Sequence, residues 1–170
     1  MEPDGVGRGE AVRALVVVCS YHHKNTEKVA RAIAGVLGAA VTTPQEVGPD
    51  EVAAYDLVGF GSGIYDATFH PSLLELADRL PPAENRRAFL FSTYGAPAVA
   101  AGGKFVAKNH SRMREKLLAR GYEVSGEFAC AGWNTNVFLK YIGGLNRGHP
   151  DAADLERAKA FARGLAESAP

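Results

Sequence analysis

A short, wholly apolar segment near the start of the chain limits the folds open to it. Residues 14–19 read ALVVVC, which predicts a strand buried on both faces, as in a parallel sheet. Beyond a polar loop the apolar period changes, because Val29, Ile33 and Leu37 recur every four residues. Gly38 then supplies a helix stop. The sequence therefore predicts a strand, a loop and a helix in succession.

The same alternation continues along the chain. We predict further strands at 39–43, 56–62, 86–93 and 122–131, and helices that begin at Pro71, span Lys104–Arg120 and span 151–166, with Asp151 as the last helix's N-cap. Only a short helix fits between the second and third strands. Strands that alternate with helices imply an α/β fold with a parallel sheet covered on both faces. We interpret residues 1–11 as a flexible tail and residues 12–170 as one domain.

Composition and charge exclude several classes of function. Basic and acidic residues both total 19, which argues against broad attraction to nucleic acid or anionic membranes. Without a long apolar run or a signal-like start, the sequence predicts a cytoplasmic protein with no membrane span. Cys19 and Cys130 are assigned to packing. The sequence contains no dinucleotide-binding or P-loop glycine motif, no hydrolase elbow and no complete zinc-ligand set. We nominate no metal site and no catalytic residue.

The loop after the first strand is rich in hydrogen-bond donors. In an open parallel sheet, ligands bind beyond the carboxyl ends of the strands, near the point where strand order reverses. The following helix begins there with unpaired N–H groups and a partial positive charge, which favours a phosphate. Nearby side-chain donors are Ser20, His22, His23, Lys24, Asn25 and Thr26. Alternatively, Asn25 and Thr26 only cap the helix and the histidines are solvated.

Two further loops place a tyrosine beside glycine at a strand end. Tyr65 lies in GSGIYDATFHP and Tyr94 in STYGAPAVAAGG, after the third and fourth strands. Each tyrosine alone is typical of an ordinary surface residue. Together they would flank a flat ring. A phosphate site and an aromatic slot describe a phosphorylated planar heterocycle.

Three segments resemble the phosphate loop and the two ring-binding loops of flavodoxin-like FMN proteins: SYHHKNTEKVARAIA, YDLVGFGSGIY and FLFSTYGAP. The resemblance covers about residues 12–166 and extends to FACAGWNTN and GGLNRGHPDAADLERAKAFA, typical of one branch of the family. It implies a flavodoxin-like three-layer sandwich, a five-stranded parallel sheet in the order 2-1-3-4-5, and noncovalently bound FMN. The FMN-binding residues it implies are Ser20, His22, His23, Lys24, Asn25, Thr26, Ser62, Gly63, Ile64, Tyr65, Ser92, Thr93, Tyr94 and Gly95.

The chain also departs from that family. His23 and Lys24 stand where the phosphate loop commonly has Thr and Gly, and Tyr65 stands where many flavodoxins have Trp. Many flavodoxins are strongly acidic, whereas this chain is neutral.

The resemblance leaves two redox functions open. One is an electron carrier, a monomer or weak dimer whose partners are a reductase and an acceptor oxidoreductase. The alternative is an FMN-dependent NAD(P)H quinone reductase or related dehydrogenase with its own substrate. A flavin-free binding module is disfavoured by the donor-rich first loop.

A row of cations and a long aromatic connection remain unassigned by these motifs. The cations recur every four residues in the fourth helix: Lys104, Lys108, Arg112, Lys116 and Arg120, with Arg114 beside them. They form either a solvated face or a docking site for an acidic redox partner or a nucleotide phosphate. Residues 131–150 include Trp133, Phe138, Tyr141 and Ile142. We expect this connection to pack over the end of the sheet, where it walls the flavin pocket, or to form a dimer contact. Alternatively, it is a small cluster that covers the core.

Overall fold

The computed structural model describes residues 12–21 and 23–168. The predicted tail (1–11) and His22 lie outside the described residues. The strands are β1 (Ala14–Cys19), β2 (Ala40–Thr42), β3 (Leu57–Gly63), β4 (Arg87–Tyr94) and β5 (Glu123–Ala131). The helices are α1 (Asn25–Leu37), α2 (Pro49–Ala53), α3 (Pro71–Arg79), α4 (Gly103–Ala119) and α5 (Ala152–Glu167), with two 3₁₀ segments at Ala98–Ala100 and Val137–Ile142.

The five strands form one parallel sheet in the order β2-β1-β3-β4-β5. This confirms the predicted fold class. The chain runs outward from β1 to β2 on one side and from β3 to β5 on the other, so the strand order reverses between β1 and β3. That reversal is where an open α/β sheet leaves a crevice for a ligand.

The core has two halves because successive strand side chains point to opposite faces. On one face, Leu15, Phe60 and Leu90 pack against α3 and α4. On the other, Val16 and Phe89 pack against α1 and α5. Cys19 and Cys130 are free buried thiols on opposite faces, as expected for packing residues.

Two glycines in β3 make room for aromatic rings from β4. A Cβ atom at Gly59 would lie 2.2 Å from the ring of Phe89, and one at Gly61 would lie 2.0 Å from the ring of Phe91. The rings occupy the space that side chains on β3 would need. The repeated glycine of LVGFGSG is therefore a packing requirement of the α1 face.

The helix ends largely follow the predictions. Gly38 ends α1 in the left-handed conformation at φ 62°. Asp151 caps α5 in a reciprocal pair of hydrogen bonds with Asp154. In the described part of the chain, every helix is too short or too polar to cross a membrane.

Candidate functional site

A cleft that is open to solvent lies beyond the carboxyl ends of β1, β3, β4 and β5. Nine residues predicted from the sequence line it: Ser20, Asn25, Thr26, Gly63, Ile64, Tyr65, Thr93, Tyr94 and Gly95. The lining also includes Tyr21, Gly132, Trp133, Asn134 and Asn136. The cleft therefore brings together the three loops that the sequence singled out and adds the start of the 131–150 connection.

The first loop turns sharply into α1. His23 and Lys24 have left-handed backbones, at φ 52° and 53°. Lys24 is the N-cap and its side chain makes no capping hydrogen bond. The hydroxyl of Ser20 instead accepts a bond from the Glu27 N–H at 3.3 Å. The interpretation of Asn25 and Thr26 as simple helix caps is therefore wrong.

Asn25 and Thr26 are buried at the start of α1 and contact other loops. The Thr26 hydroxyl lies 2.8 Å from the hydroxyl of Thr93, which joins α1 to the end of β4. The Asn25 amide donates through Nδ2 to the backbone carbonyl of Trp133 at 2.9 Å. Its carbonyl oxygen, Oδ1, is buried and has no hydrogen-bond donor among the described residues. Such an acceptor is costly unless a bound molecule or water donates to it.

Trp133 ties the 131–150 connection to the first loop. Its indole ring stacks on the imidazole of His23, with 4.0 Å between ring centroids and 24° between ring planes. His23 Nε2 also lies 2.8 Å from the hydroxyl of Thr135. His23 therefore holds the connection in place and does not itself line the cleft.

The same connection fixes the loop after β4. The side-chain amide of Asn134 donates to the Gly95 carbonyl at 3.3 Å, and that of Asn146 donates to the Ala96 carbonyl at 2.9 Å. The expectation that the connection covers the end of the sheet is therefore correct for its first residues. Phe138 is 64% exposed and does not cover the core, so for this residue the dimer-contact alternative stays open.

Two tyrosines, Tyr65 and Tyr94, line the cleft beyond β3 and β4. The ring of Tyr65 meets His70 edge-on at 5.5 Å, and the ring of Tyr94 meets Phe105 edge-on at 5.7 Å. Burial raises the pKa of both phenols. Both therefore remain neutral at physiological pH and present apolar ring faces and uncharged hydroxyls.

Some predicted site residues do not reach the cleft. Ser62 and Ser92 are buried on the α3–α4 face of the sheet, one residue before the cleft residues Gly63 and Thr93, because strand side chains alternate. The hydroxyl of Ser62 accepts from the His70 N–H at 2.9 Å. The exposed side chain of Lys24 forms an ion pair with Glu27 at 3.7 Å.

A buried polar chain supports the end of β4. Ser92 Oγ lies 2.7 Å from Nε2 of His110, whose Nδ1 lies 3.0 Å from Glu127, and Arg114 also binds Glu127. Burial raises the pKa of Glu127, but hydrogen bonds from His110 and Arg114 outweigh it and lower the pKa to about 2. The order serine, histidine, glutamate resembles a hydrolytic triad. However, Ser92 is 1% exposed and His110 0% exposed, so no substrate reaches the hydroxyl.

A cluster of His149, Asp151 and Asp154 has a structural explanation. Its potential ligand atoms lie within 4.8 Å of one another. The Asp154 carboxylate already accepts from His149 Nδ1 at 2.6 Å and from the Asp151 N–H at 2.9 Å, and it also pairs with Arg157. These contacts form the N-terminal cap of α5.

Comparison with known proteins finds a relative by sequence and, separately, solved structures with a similar fold. No family model matches the sequence. The uncharacterized protein MJ0298 of Methanocaldococcus jannaschii is 41% identical over 154 residues, which is 91% of this chain and 98% of that protein. Oxidised flavodoxin 2 from Bacillus cereus matches 92% of this chain and 99% of its own, with a TM-score of 0.67 and 19% identity.

Two other solved structures are also similar. A flavodoxin from the domain Archaea has a TM-score of 0.59 at 17% identity and covers 91% of this chain and 96% of its own. The apo form of the NADH:FMN oxidoreductase EmoB has a TM-score of 0.58 at 18% identity and covers 94% of this chain and 92% of its own. The predicted flavodoxin-like resemblance is thus confirmed at the level of fold. The chain belongs to the same family as MJ0298, and its fold is that of the flavodoxins.

Proposed function

We propose that the protein binds FMN noncovalently in the cleft and carries electrons between a reductase and an acceptor oxidoreductase. One observation supports this most directly: a helix N-terminus, the unpartnered Oδ1 of Asn25 and two neutral phenols lie in the same cleft. The likeness to the flavodoxin structures supports the same ligand. FMN would supply the redox chemistry, while the protein sets affinity, access and potential.

The first loop fits the phosphate end of FMN. The 13-residue helix α1 starts at the cleft, so its N-terminal N–H groups and partial positive charge would face the phosphate. The hydroxyl of Ser20 lies at the same place. The unpartnered Oδ1 of Asn25 accepts and cannot donate, so it suits a hydroxyl of the ribityl chain rather than a phosphate oxygen.

The loops after β3 and β4 fit the ring end. Tyr65 and Tyr94 line the cleft and offer aromatic surface to the isoalloxazine, each contact contributing about 0.5–1.5 kcal/mol beyond area burial. Glycines leave bare backbone beside them. A Cβ at Gly95 would lie 2.4 Å from the amide nitrogen of Asn134, so only glycine keeps this approach open.

Ligand titrations test the binding part of the proposal. Trp133 is the only tryptophan in the chain and lines the cleft, so its fluorescence reports occupancy. We expect FMN to quench it with saturation, and riboflavin, which lacks the phosphate, to bind at least about ten-fold more weakly. Equal affinities would rule out the phosphate site. No quenching together with no retained flavin would rule out FMN binding.

A second candidate is an FMN enzyme that uses NAD(P)H and a small electron acceptor such as a quinone. The likeness to EmoB and the neutral net charge favour it. Stepwise anaerobic photoreduction separates the two functions. A one-electron-reduced flavin that persists over a wide potential range supports a carrier. Direct two-electron reduction, with rapid reduction by NAD(P)H alone, supports the enzyme.

We also infer a cytoplasmic location, since both cysteines are free thiols. We further propose a monomer or weak dimer that meets its redox partners in solution. Fractionation with detection of the native protein would test the location, and sedimentation would test the oligomeric state.

A further inference from the structure

Two segments beside the cleft carry an uneven share of charge. Residues 95–114 and 131–150 together hold six lysine and arginine residues and no aspartate or glutamate, in a chain where each sign totals 19. Both segments begin at the cleft, because Gly95, Gly132, Asn134 and Asn136 line it. The neutrality of the whole chain therefore conceals a local excess of positive charge in the two segments that begin at the cleft.

Part of the basic row in α4 has partners and belongs to the fold. Lys116 pairs with Asp78 of α3 at 2.5 Å, and Arg120 donates to the Asp78 carbonyl. Arg114 is bound to Glu127 of β5. The predicted docking row therefore loses its C-terminal half, whose cations join α4 to α3 and β5.

The other cations of the two segments are exposed and form no ion pair within residues 12–21 and 23–168. We call them the basic rim: Lys104, Lys108, Arg112, Lys140 and Arg147. Lys104 and Lys108 lie in the first half of α4, next to Phe105, whose ring contacts Tyr94 of the cleft. Lys140 lies in the 3₁₀ segment that follows the cleft residue Asn136.

Apolar side chains are exposed on the same two segments. Val99 is 100% exposed, Phe138 64%, Tyr141 80% and Ile142 70%. The Lys140 ammonium lies 5.0 Å from the centroid of the Tyr141 ring, so one cation lies directly on this surface. Exposed aromatic and aliphatic groups among cations are typical of a transient protein-binding surface.

We propose that the basic rim and these apolar residues dock an acidic electron-transfer protein over the cleft. The inference rests on the proposed redox function and names its partner's chemistry. Unpaired cations steer an acidic protein toward the cleft, and the apolar residues supply the contact once it arrives. Docking there would bring the partner's redox centre close to the edge of the proposed flavin site.

Other occupants fit the surface less well. A second copy docked about a two-fold axis would set the basic rim against itself, and like charges across an interface are unfavourable. A nucleotide phosphate requires cations that converge on one point. Lys104, Lys108 and Arg112 are instead spread along α4, about 12 Å from first to last.

Electron transfer with two probes of opposite charge tests the inference. In the first arm, an acidic plant-type [2Fe–2S] ferredoxin, reduced beforehand, donates one electron to the oxidised FMN-loaded protein. In the second arm, the photoreduced protein donates one electron to a basic c-type cytochrome. Stopped-flow rate constants are measured from low to high salt. We expect the ferredoxin rate to fall steeply with salt, and the cytochrome rate to stay flat or rise.

Matched charge reversals locate the effect. Lys104→Glu with Lys140→Glu changes one cation on each segment, while Arg79→Glu with Arg163→Glu makes the same charge change on exposed positions of α3 and α5. At low salt we expect the first pair to slow the ferredoxin reaction roughly ten-fold or more, with FMN affinity unchanged, and the second pair to slow it much less. Equal effects of the two pairs would overturn the inference, as would equal salt dependence for both probes.

A failure of FMN binding remains distinguishable from a failure of docking. If the protein takes no flavin, calorimetry of the flavin-free protein with oxidised ferredoxin still measures docking, and weaker binding by the Lys104→Glu/Lys140→Glu variant alone supports the surface. A dimer seen by sedimentation and lost on Phe138→Ala would assign the surface to a second copy and overturn the proposed partner.

Discussion

At the scale of single residues, Asn25 should control ligand affinity, because its amide nitrogen has a hydrogen-bond partner and its buried amide oxygen has none among the described residues. We predict that Asn25→Asp raises the dissociation constant for FMN at least about ten-fold, because a carboxylate repels the phosphate and cannot donate to the Trp133 carbonyl. Asn85→Asp makes the same chemical change at an exposed bend before β4 and should leave affinity unchanged. Fluorescence titration measures both variants. Unaltered affinity in Asn25→Asp would remove Asn25 from the site.

Glu127 should make the stability of the fold depend on pH. Its pKa is about 2 in the fold and 4.5 ordinarily, so its stabilising contribution is complete above about pH 4.5 and is lost as pH falls toward 2. We predict that Glu127→Gln lowers the free energy of unfolding at pH 7 by about 2 kcal/mol. The deficit should shrink between pH 4.5 and 2, since the wild type then loses the same interaction.

Urea unfolding at steps from pH 7 to 3 measures this effect. Glu84→Gln, at an exposed position before β4, serves as the control. If the loss of stability in Glu127→Gln stayed constant with pH, the charge of Glu127 in its hydrogen-bond network with His110 and Arg114 would contribute nothing to stability.

The sequence predicted which loops form the cleft better than which side chains line it. Glycine, tyrosine and polar residues after strands mark the loops, because only ligand contacts or turns require them there. Which of Ser62 and Gly63 faces the cleft depends on the phase of β3, and apolar residues on both faces of a central parallel strand hide that phase. Ser92 and Thr93 pose the same problem in β4.

At the scale of elements, the β3–β4 pair should tolerate no added side chain on its α1 face. We predict that Gly61→Ala lowers the free energy of unfolding by about 1–3 kcal/mol, because its Cβ would meet the buried ring of Phe91. Gly35→Ala lies within α1 with open space around it and should instead stabilise the protein by about 0.5–1 kcal/mol. Chemical denaturation gives both values. A neutral Gly61→Ala would mean that the rings repack freely.

The 131–150 connection should act on the ligand through its first residues only. We predict that Trp133→Ala weakens FMN binding several-fold or more, because it removes both an aromatic wall and the stack that holds His23. Phe138→Ala removes an exposed ring from the same connection and should leave affinity unchanged. Quenching of the flavin's own fluorescence gives both constants. Equal affinities in the two variants would contradict a walling role for Trp133.

Local sequence patterns could not trace this connection. The path of residues 131–150 is set by long-range bonds from Asn134 and Asn146 to the loop after β4. Asn134 and Asn136 line the cleft but belong to no periodic apolar pattern, so the sequence did not predict them as site residues. A long segment that is aromatic yet nonperiodic was the only available signal, and it indicated a functional loop without indicating its contacts.

At the scale of the whole molecule, the proposed ligand should stabilise the fold. We predict that FMN at about 100 times its dissociation constant adds about 2.7 kcal/mol and raises the melting temperature by about 5 °C or more. Riboflavin at the same concentration should add less because it lacks the phosphate. Calorimetric scans measure both. An unchanged melting temperature at saturating FMN would contradict binding to the folded state.

The architecture was more predictable than the distribution of charge. Alternating strands and helices indicate a parallel sheet by themselves, and the resemblance to FMN proteins added the strand order. The net charge of zero argued against broad attraction to polyanions but could not reveal a local excess of charge, because a sum carries no position. Only the fold shows that Lys104 and Lys140 belong to segments that begin at the same cleft. Only the fold shows that Lys116 forms an ion pair with Asp78.

The two halves of the core are completed at different times during synthesis. On the α1 face, Val29 and Ile33 of α1 pack in one cluster with Ala158, Ala162 and Leu165 of α5. Helix α5 is the last described element, so a nascent chain has already made α1 and all five strands while this cluster still lacks one wall. Until α5 docks, the ring of Phe89 would lack its contact with Phe161, and this face of the sheet would have only α1 to cover it. Truncation or delayed docking of α5 would therefore expose an apolar, aggregation-prone face of the sheet and not only disorder the C-terminal end of the chain.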